Sequence, residues 1–374
     1  MVSSRLRQLD ALRGIAALIV VFNHYAQVVP EAVSHAIDHT GLLSAEVWTS
    51  PWFWLRYTPL RLFVDGEAAV DVFFVLSGFV LALPLSLDRQ PEFWPFVVKR
   101  LCRIYLPFAI VIGCVALAWM IVPTGPAPAA SEWLNGLRPR PGAYSLLQHL
   151  LMTGSDMSLN PAMWTLVHEV RMAAVMPLIF LMIRKLGPVH TVALCLVISL
   201  LFSFGMTDSI SGSWQATLHF IWMFAVGSAL AFGRGSLIAR HRGPLATASL
   251  WALAIALLVV PFNRVWADFL IGWGAVLVIV LCLSHNRAAS LLSLPLPLWL
   301  GRVSYSLYLI HLPILIIAVT GGLALGALPV LLVLTLAMAE ACFRAIEAPS
   351  HALGVMLSRT MLSRGDRPDH KAAA

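Results

Sequence analysis

The 374-residue chain is 59% hydrophobic and only 11% charged, whereas average soluble domains are about 45–50% apolar and about 25% charged. With a mean hydropathy of +0.84, it lacks the polar side chains that cover a soluble domain. The composition therefore excludes a soluble domain or a disordered tail protein and indicates one polytopic membrane domain. The net charge of +7 does not indicate nucleic-acid binding, because the basic residues fall in short loops between apolar runs.

Ten apolar stretches approach the length that a membrane helix needs, which is about 20 residues for roughly 30 Å of hydrocarbon. The predicted fold class is all-α, a polytopic membrane protein with about ten transmembrane helices. The predicted spans are residues 10–29, 69–87, 104–122, 162–183, 189–206, 215–233, 246–262, 267–284, 303–320 and 323–343.

The basic residues of the loops predict the orientation, because Lys and Arg accumulate on the cytoplasmic side of a membrane. If the N-terminus lies inside and the spans alternate, most of the 25 Lys and Arg residues fall on the inner side. Both termini are therefore predicted to be cytoplasmic. Residues 1–350 are expected to form the transmembrane domain, and residues 351–374 are expected to form a polar, basic and mobile tail.

Two long loops are predicted on the outer side. Residues 30–68 are rich in aromatic side chains, which indicates either an interfacial aromatic belt or a lid or binding surface for a substrate on that side. Residues 123–160 are rich in Pro and Gly and are expected to form an ordered loop with little regular structure. The sequence does not decide which acceptor these loops would bind.

His24 is the first ionisable residue inside a span that needs a partner or a function, since strongly polar groups at a helix centre cost about 2.5–3.5 kcal/mol or more. It follows Arg13 by eleven residues, close to three helical turns, so both share a face about 16 Å apart. A phosphate-rich ligand held at Arg13 would reach His24 only through a long thin arm, such as the pantetheine arm of coenzyme A. A histidine that only packs helices through a hydrogen bond is the alternative.

Arg100 and Arg103 lie three residues apart and so share one helix face. Their forked guanidinium donors suit phosphate. A positive-inside anchor explains the same residues equally well.

His168, Glu169 and Arg171 fall about two turns into the fourth predicted span. Three ionisable groups in one span are costly unless they meet each other or a wet cavity. His168 and Arg171 share a face, while Glu169 points elsewhere and could orient a histidine or receive a proton. A purely structural ion network is the alternative.

Asp71 opens the second predicted span and is expected at the outer interface, where a charge costs little. Tyr308 and His311 lie at i and i+3 in the ninth span, and a His–Tyr hydrogen bond that packs helices is the expected arrangement. Ser77 is not expected to be a nucleophile, because nothing near it in the sequence would activate it.

Taken together, these stretches resemble the acyltransferase 3 family of integral membrane acyltransferases. Each motif alone has low specificity for the family, but the motifs in this order are specific and cover nearly the whole chain. The matching segments are Leu9–Gly14 with His24, Val70–Phe79, Arg100–Pro107, Met163–Glu169, Ser304–His311 and Glu347–Pro349.

The resemblance implies transfer of an acyl group, usually acetyl, from cytoplasmic acyl-coenzyme A to a hydroxyl of an extracytoplasmic or membrane-carried acceptor, commonly a glycan. It implies that His24 is the catalytic histidine and that Arg13 belongs to the donor site. Arg100 and Arg103 would contact the coenzyme A phosphates. Glu169 matches the acidic residue that ends the family's Trp-x-x-x-x-Glu stretch.

The remaining candidates are assigned less specifically. Asp71 or Glu169 would orient His24, and four residues are expected to bind substrate: His168, Arg171, Tyr308 and His311. The expected donor is acyl-coenzyme A, in the first place acetyl-coenzyme A, without a metal.

The expected partners are membrane lipid and a glycan or small-molecule hydroxyl acceptor, without nucleic acid; a homo-oligomer is left open. The expected location is a bacterial cytoplasmic (inner) membrane. The alternative function is a transporter or flippase for a glycan or lipid-linked precursor, with the intramembrane charges as a proton relay.

Overall fold

Every regular element in the described part of the chain is helical, and no strand occurs there. The prediction of an all-α polytopic membrane protein is confirmed. The structure is a computed structural model and describes residues 2–34, 49–87, 93–122, 125–137, 142–239, 243–260, 264–284 and 287–365.

Each predicted span coincides with a helix. By length and composition, seven helices of the described chain could cross a membrane, whereas Pro188–Ser203 and Pro244–Leu258 are apolar but shorter; the number of crossings stays a prediction. The corresponding helices are α1 (Val2–Gln27), α2 (Gly66–Ala82), α3 (Leu106–Ile121), α4 (Trp164–Leu186), α5 (Pro188–Ser203), α6 (Ile221–Ala239), α7 (Pro244–Leu258), α8 (Arg264–Leu283), α9 (Pro295–Thr320) and α10 (Leu328–Cys342).

Two boundaries differ from the sequence-based expectation. Helix α9 begins at Pro295 rather than near residue 303, because proline is well suited to the first turn of a helix. Residues 351–365, expected in the polar tail, belong to a helix over Ala348–Gly365. Gly354 packs that helix closely against Cys102; residues 366–374 lie outside the described residues.

Helices α1 and α9 pack through two glycines. A Cβ atom on Gly14 would lie 2.2 Å from the backbone nitrogen of Gly301, so only glycine permits this approach, as at other close helix contacts in membranes. The two helices run in the same direction, since His24 and His311, ten residues after the respective glycines, are also in contact. The glycine contact therefore sets the register that brings the two histidines together.

Helix α2 lies at the centre of the bundle, against α1, α6 and α8. Gly78 and Gly227 allow α2 and α6 to pack closely. A Cβ atom on Gly78 would lie 2.2 Å from the carbonyl oxygen of Phe224, and one on Gly227 would lie 2.0 Å from the carbonyl oxygen of Val75. This position explains why most of α2 is buried.

The two ends of the bundle differ. One end is called the arginine end, because Arg13, Arg100 and Arg103 lie there. At this end the helix Phe93–Arg100 continues into a π-helical segment over Leu101–Tyr105, and such segments are frequent at functional sites. At the other, the loop end, the two long connections contain short helices, namely Pro51–Tyr57, Pro59–Phe63, Glu132–Gly136 and Ala143–Leu150. The second connection thus has more regular structure than expected.

Candidate active site

His24 is hydrogen bonded to His311. The His24 Nδ1 atom lies 2.9 Å from His311 Nε2. His311 is fully buried, whereas His24 is only half-buried. The expected hydrogen bond between the side chains of His311 and Tyr308 does not form: the Tyr308 hydroxyl donates to the backbone carbonyl of Ala162 and pairs with Thr165.

The backbone of α9 sets which nitrogen carries a proton in this pair. His311 Nδ1 lies 3.1 Å from the carbonyl oxygen of Leu307 and 2.9 Å from that of Tyr308. Carbonyl oxygens only accept, so Nδ1 of His311 carries the hydrogen. In a neutral His311, Nε2 then accepts the hydrogen from His24 Nδ1, and the free lone pair of His24 lies on Nε2.

A tryptophan that the sequence analysis did not single out covers the face of His24. The Trp133 ring stacks on the imidazole with 5.7 Å between ring centroids and 12° between planes. Trp133 belongs to the short helix Glu132–Gly136 of the second loop. Only the fold brings the loop onto the first helix, so no local sequence signal could have found this contact.

Three arginines converge at the arginine end. Arg100 lies within electrostatic range of Arg103 and Arg13, and Arg103 lies within range of Arg13 as well. Among the described residues, none of the three forms an ion pair. The carboxylates of Asp10, Glu169 and Glu347 act on this group electrostatically, but without an ion pair the guanidinium groups can still donate to an anion with several negative charges, such as a phosphate group.

Glu169 lies between the arginines and the histidines. Its carboxylate accepts a hydrogen bond of 3.1 Å from the Ser77 hydroxyl and acts electrostatically on Arg100 and Tyr305. Ser77 therefore serves as a donor to Glu169. Among the described contacts His24 is hydrogen bonded to His311 and not to Glu169, so a role of Glu169 in orienting the histidine stays a prediction without a direct contact.

The tyrosines of α9 continue this line of polar groups. Tyr305, Tyr308 and His311 follow each other at intervals of three residues, so they lie along one side of α9 and span about 9 Å. Tyr305 donates to the Ile104 carbonyl at 2.5 Å in the π-helical segment. Polar side chains thus extend from the arginine end to His24.

His168 and Arg171 hold loops together. His168 Nε2 donates to the Ser211 carbonyl, and its Nδ1 contacts the Thr217 hydroxyl, both at 2.8 Å. Arg171 donates to the carbonyls of Gly212 at 2.8 Å and Thr153 at 2.6 Å. These contacts support the structural alternative, and a substrate role for either residue stays a prediction without geometric support.

Asp71 is buried inside the bundle, and no described contact joins it to His24. Its side chain is fully buried and neither carboxylate oxygen has a hydrogen-bond partner, because α2 faces α8 at this level. The neighbouring charges are those of Arg264 and Asp268. The side chain is therefore not exposed as a charge at an interface was expected to be, and a role in orienting His24 stays a prediction without geometric support.

The charged cluster around Asp71 also contains a histidine. His219 Nε2 lies 3.0 Å from Asp268 Oδ2, and its Nδ1 lies 2.7 Å from the Ser203 hydroxyl. Arg264 pairs with Glu67 at 2.6 Å. His219, Asp268 and Ser203 are fully or almost fully buried, so this cluster lies inside the bundle and apart from the His24–His311 pair.

A cavity of about 110 Å³ opens at the loop end beside α1. Asn23 and Gln27 line it from α1, and Trp52 lines it from the first loop. This position agrees with the substrate-binding alternative for residues 30–68, of which residues 35–48 lie outside the described residues.

Among the described residues, no three His, Cys, Asp or Glu side chains are grouped to hold a metal ion.

Comparisons with known proteins identify the family of the chain. A family whose description is "Acyltransferase domain" matches residues 6–343. An O-acetyltransferase, PaAT-1 of Phomopsis amygdali, is 32% identical over 111 residues, which cover 28% of this chain and 20% of that protein. The match thus spans about a fifth of the relative's length. No solved structure matches the chain.

The family match covers residues 6–343, nearly the whole chain. The sequence resemblance is thereby confirmed, and the chain belongs to the acyltransferase 3 family of multi-pass membrane acyltransferases.

Proposed function

We propose that the chain transfers an acyl group, in the first place acetyl, from cytoplasmic acyl-coenzyme A to a hydroxyl of an acceptor on the other side of the membrane or within it. The observation that carries the proposal is the hydrogen bond between His24 and His311. It leaves a lone pair on His24 Nε2, as a general base or a nucleophile requires. Acetyl is also the group in the name of the relative PaAT-1 of Phomopsis amygdali, an O-acetyltransferase.

The arginine end supports coenzyme A as the donor. Arg13, Arg100 and Arg103 converge without ion-pair partners among the described residues, and several guanidinium groups together suit the phosphates of one ligand. Arg13 and His24 lie eleven residues apart on α1, about 16 Å along the axis. The pantetheine arm has about that reach, so phosphates at the arginines would bring the thioester beside His24.

The path between the two ends supports the same arrangement. Glu169, Ser77 and Tyr305 are half-buried polar residues between the arginines and the histidines. Polar groups inside a membrane domain commonly line a wet cleft rather than face lipid. The thin pantetheine arm with its amide groups would follow this line between α1, α2, α4 and α9.

The reaction then needs one proton carrier. His24 Nε2 takes the proton from the acceptor hydroxyl while its oxygen forms a bond to the thioester carbon. The carbon–sulfur bond breaks, and the protonated His24 returns the proton to the coenzyme A thiolate. In the alternative route, Nε2 first forms a bond to the acyl carbon, the carbon–sulfur bond breaks, and coenzyme A leaves as the thiolate. The acceptor oxygen then forms a bond to the acyl carbon, the carbon–nitrogen bond to His24 breaks, and the proton of the acceptor hydroxyl passes to the thiolate.

His311 assists both routes in the same way. As Nε2 gains a proton or an acyl group, the ring becomes positive and its Nδ1–H becomes a stronger donor to His311. The contact between the two rings therefore strengthens in the transition state, which is the condition for a rate effect.

The acceptor is proposed to be a glycan or another hydroxyl compound, and the location a bacterial cytoplasmic membrane with both termini inside. The support is the distribution of Lys and Arg, which puts the arginine end on the coenzyme A side and the cavity beside Asn23 on the other side.

Labelled acetyl-coenzyme A added to membranes that contain the protein tests this function. We expect a new alkali-labile ester on envelope glycans with wild-type protein and none with the His24→Ala variant. Normal ester formation by a purified His24→Ala variant would remove His24 from the mechanism.

The buried cluster of Asp71, Asp268, Arg264 and His219 favours a second candidate, a transporter or flippase with an internal proton relay. The two functions are separated by their dependence on the donor. An acyltransferase makes an ester only with acyl-coenzyme A present, whereas a flippase moves its lipid-linked precursor without it and forms no ester.

A further inference from the structure

The stacking of Trp133 on His24 has no explanation in the donor site. Trp133 reaches α1 from the loop end, opposite the arginines, and its ring lies nearly parallel to the imidazole. The Trp133 side chain is half-buried, so part of it faces the space at the loop end while its ring covers one face of His24.

The short segment that carries Trp133 is fastened to the end of α1. The Ser131 hydroxyl donates to the Gln27 carbonyl at 2.5 Å, and the Ser131 backbone N–H donates to the Val28 carbonyl at 2.9 Å. The Asn135 side chain ties the segment to itself through the backbone of Ala127 at 2.9 and 3.1 Å. These bonds keep Trp133 over His24 as a fixed part of the site.

A thioester beside His24 would be exposed to two competing nucleophiles, the acceptor hydroxyl and water. If water attacks, its oxygen forms a bond to the acyl carbon, the carbon–sulfur bond breaks, and His24 moves the proton to the departing thiolate. The products are then acetate and free coenzyme A. Exclusion of water from such a site protects the reactive intermediate from this side reaction.

We propose that Trp133 is the acceptor-side wall of the active site and a specificity-determining residue that keeps water from the acyl group at His24. This inference rests on the proposed function. The flat ring also offers a stacking surface to an acceptor with a planar or apolar face, which would replace water at His24 without displacing the wall.

Release of free coenzyme A thiol from acetyl-coenzyme A, without any acceptor, tests the proposal with purified full-length protein. We expect Trp133→Ala to raise this hydrolysis severalfold, because the truncated side chain no longer shields the face of His24 from water. Trp133→Phe should stay close to wild type. Ser131→Ala, which keeps the ring but loses the bond to Gln27, should raise hydrolysis less than Trp133→Ala.

Two controls separate this proposal from the proposed function. Glu132→Ala, an exposed neighbour in the same short helix, should leave hydrolysis unchanged, and adding His24→Ala to Trp133→Ala should abolish the increase. Unchanged hydrolysis in both Trp133→Ala and Ser131→Ala, with hydrolysis that still depends on His24, would overturn the role of Trp133 alone. Donor cleavage that does not depend on His24 in any variant would overturn both proposals.

Discussion

Replacing His311 tests how His24 is prepared for proton transfer. His311→Leu removes the acceptor for His24 Nδ1 and keeps a similar volume in the seam between α1 and α9, whereas His311→Gln retains an oxygen that can accept. The lost bond is the 2.9 Å contact between the rings, and in the transition state its donor is positively charged. Hydrogen bonds to charged groups contribute about 1.5–3 kcal/mol, which corresponds to a rate factor of about 10 to 150.

We therefore expect His311→Leu to lower kcat by about 10- to 150-fold with little change in the donor KM, because His311 lies at the opposite end of the polar line from the arginines. His311→Gln should recover part of that loss. The assay is acetyl transfer from labelled acetyl-coenzyme A by purified protein, with donor binding measured in parallel. A kcat for His311→Leu equal to that of wild type, or a loss that appears only in donor KM, would refute the reasoning.

Three further predictions concern the donor site, the helix seam and pH. The double variant Arg100→Ala with Arg103→Ala should raise the donor KM by about tenfold or more, since each charge-assisted bond is worth about 1.5–3 kcal/mol, with kcat at saturating donor less affected. Gly14→Leu should lower both thermal stability and activity, because overpacking costs about 1–3 kcal/mol or more and a Cβ would already lie 2.2 Å from the facing backbone. Burial lowers the pKa of His149, in the second loop, from its ordinary value of 6.5. The unfolded chain therefore binds the proton more readily than the folded chain, and stability should fall as the pH drops below 6.5. Thermal melts of wild type and His149→Asn check this, and the variant should lose less stability on acidification.

Matched controls sharpen these tests. Lys185→Ala removes a basic residue that is exposed, so an equal rise in donor KM there would contradict a specific role for the arginine pair. Gly113→Leu adds the same side chain where nothing lies within 4 Å of a Cβ, and an equal loss of stability would contradict the close-packing argument. For His149, a melting temperature that rises on acidification would contradict the predicted sign.

Composition and periodicity were sufficient for the fold class, because the cost of leaving backbone polar groups unpaired in lipid restricts spanning segments to helices or closed barrels. The eleven-residue spacing of Arg13 and His24 was equally informative, since the geometry of one helix fixes which of its residues share a face. The register of α1 against α9 was less accessible. It depends on Gly14 and Gly301 meeting, and neither glycine indicates its partner in the sequence.

The partners of the polar residues could not be predicted for the same reason. The i,i+3 spacing of Tyr308 and His311 suggested that they bind each other, but each side chain turns to a different helix, His311 to α1 and Tyr308 to the start of α4. Asp71 was expected at the interface because it opens a span. The sequence did not show that it would also be buried inside the protein, which follows from the central position of α2. Trp133 reaches His24 only through the folded loop.

The central claim is that a thioester delivered from the arginine end meets His24 deep in the bundle. The most direct measurement is an experimental structure with a non-hydrolysable acetyl-coenzyme A analogue bound. We predict its phosphates at Arg13, Arg100 and Arg103, and its carbonyl carbon about 3–3.5 Å from His24 Nε2, the separation of a near-attack geometry. An analogue whose acyl group stays at the arginine end, with close-packed aliphatic side chains between it and His24, would contradict the account.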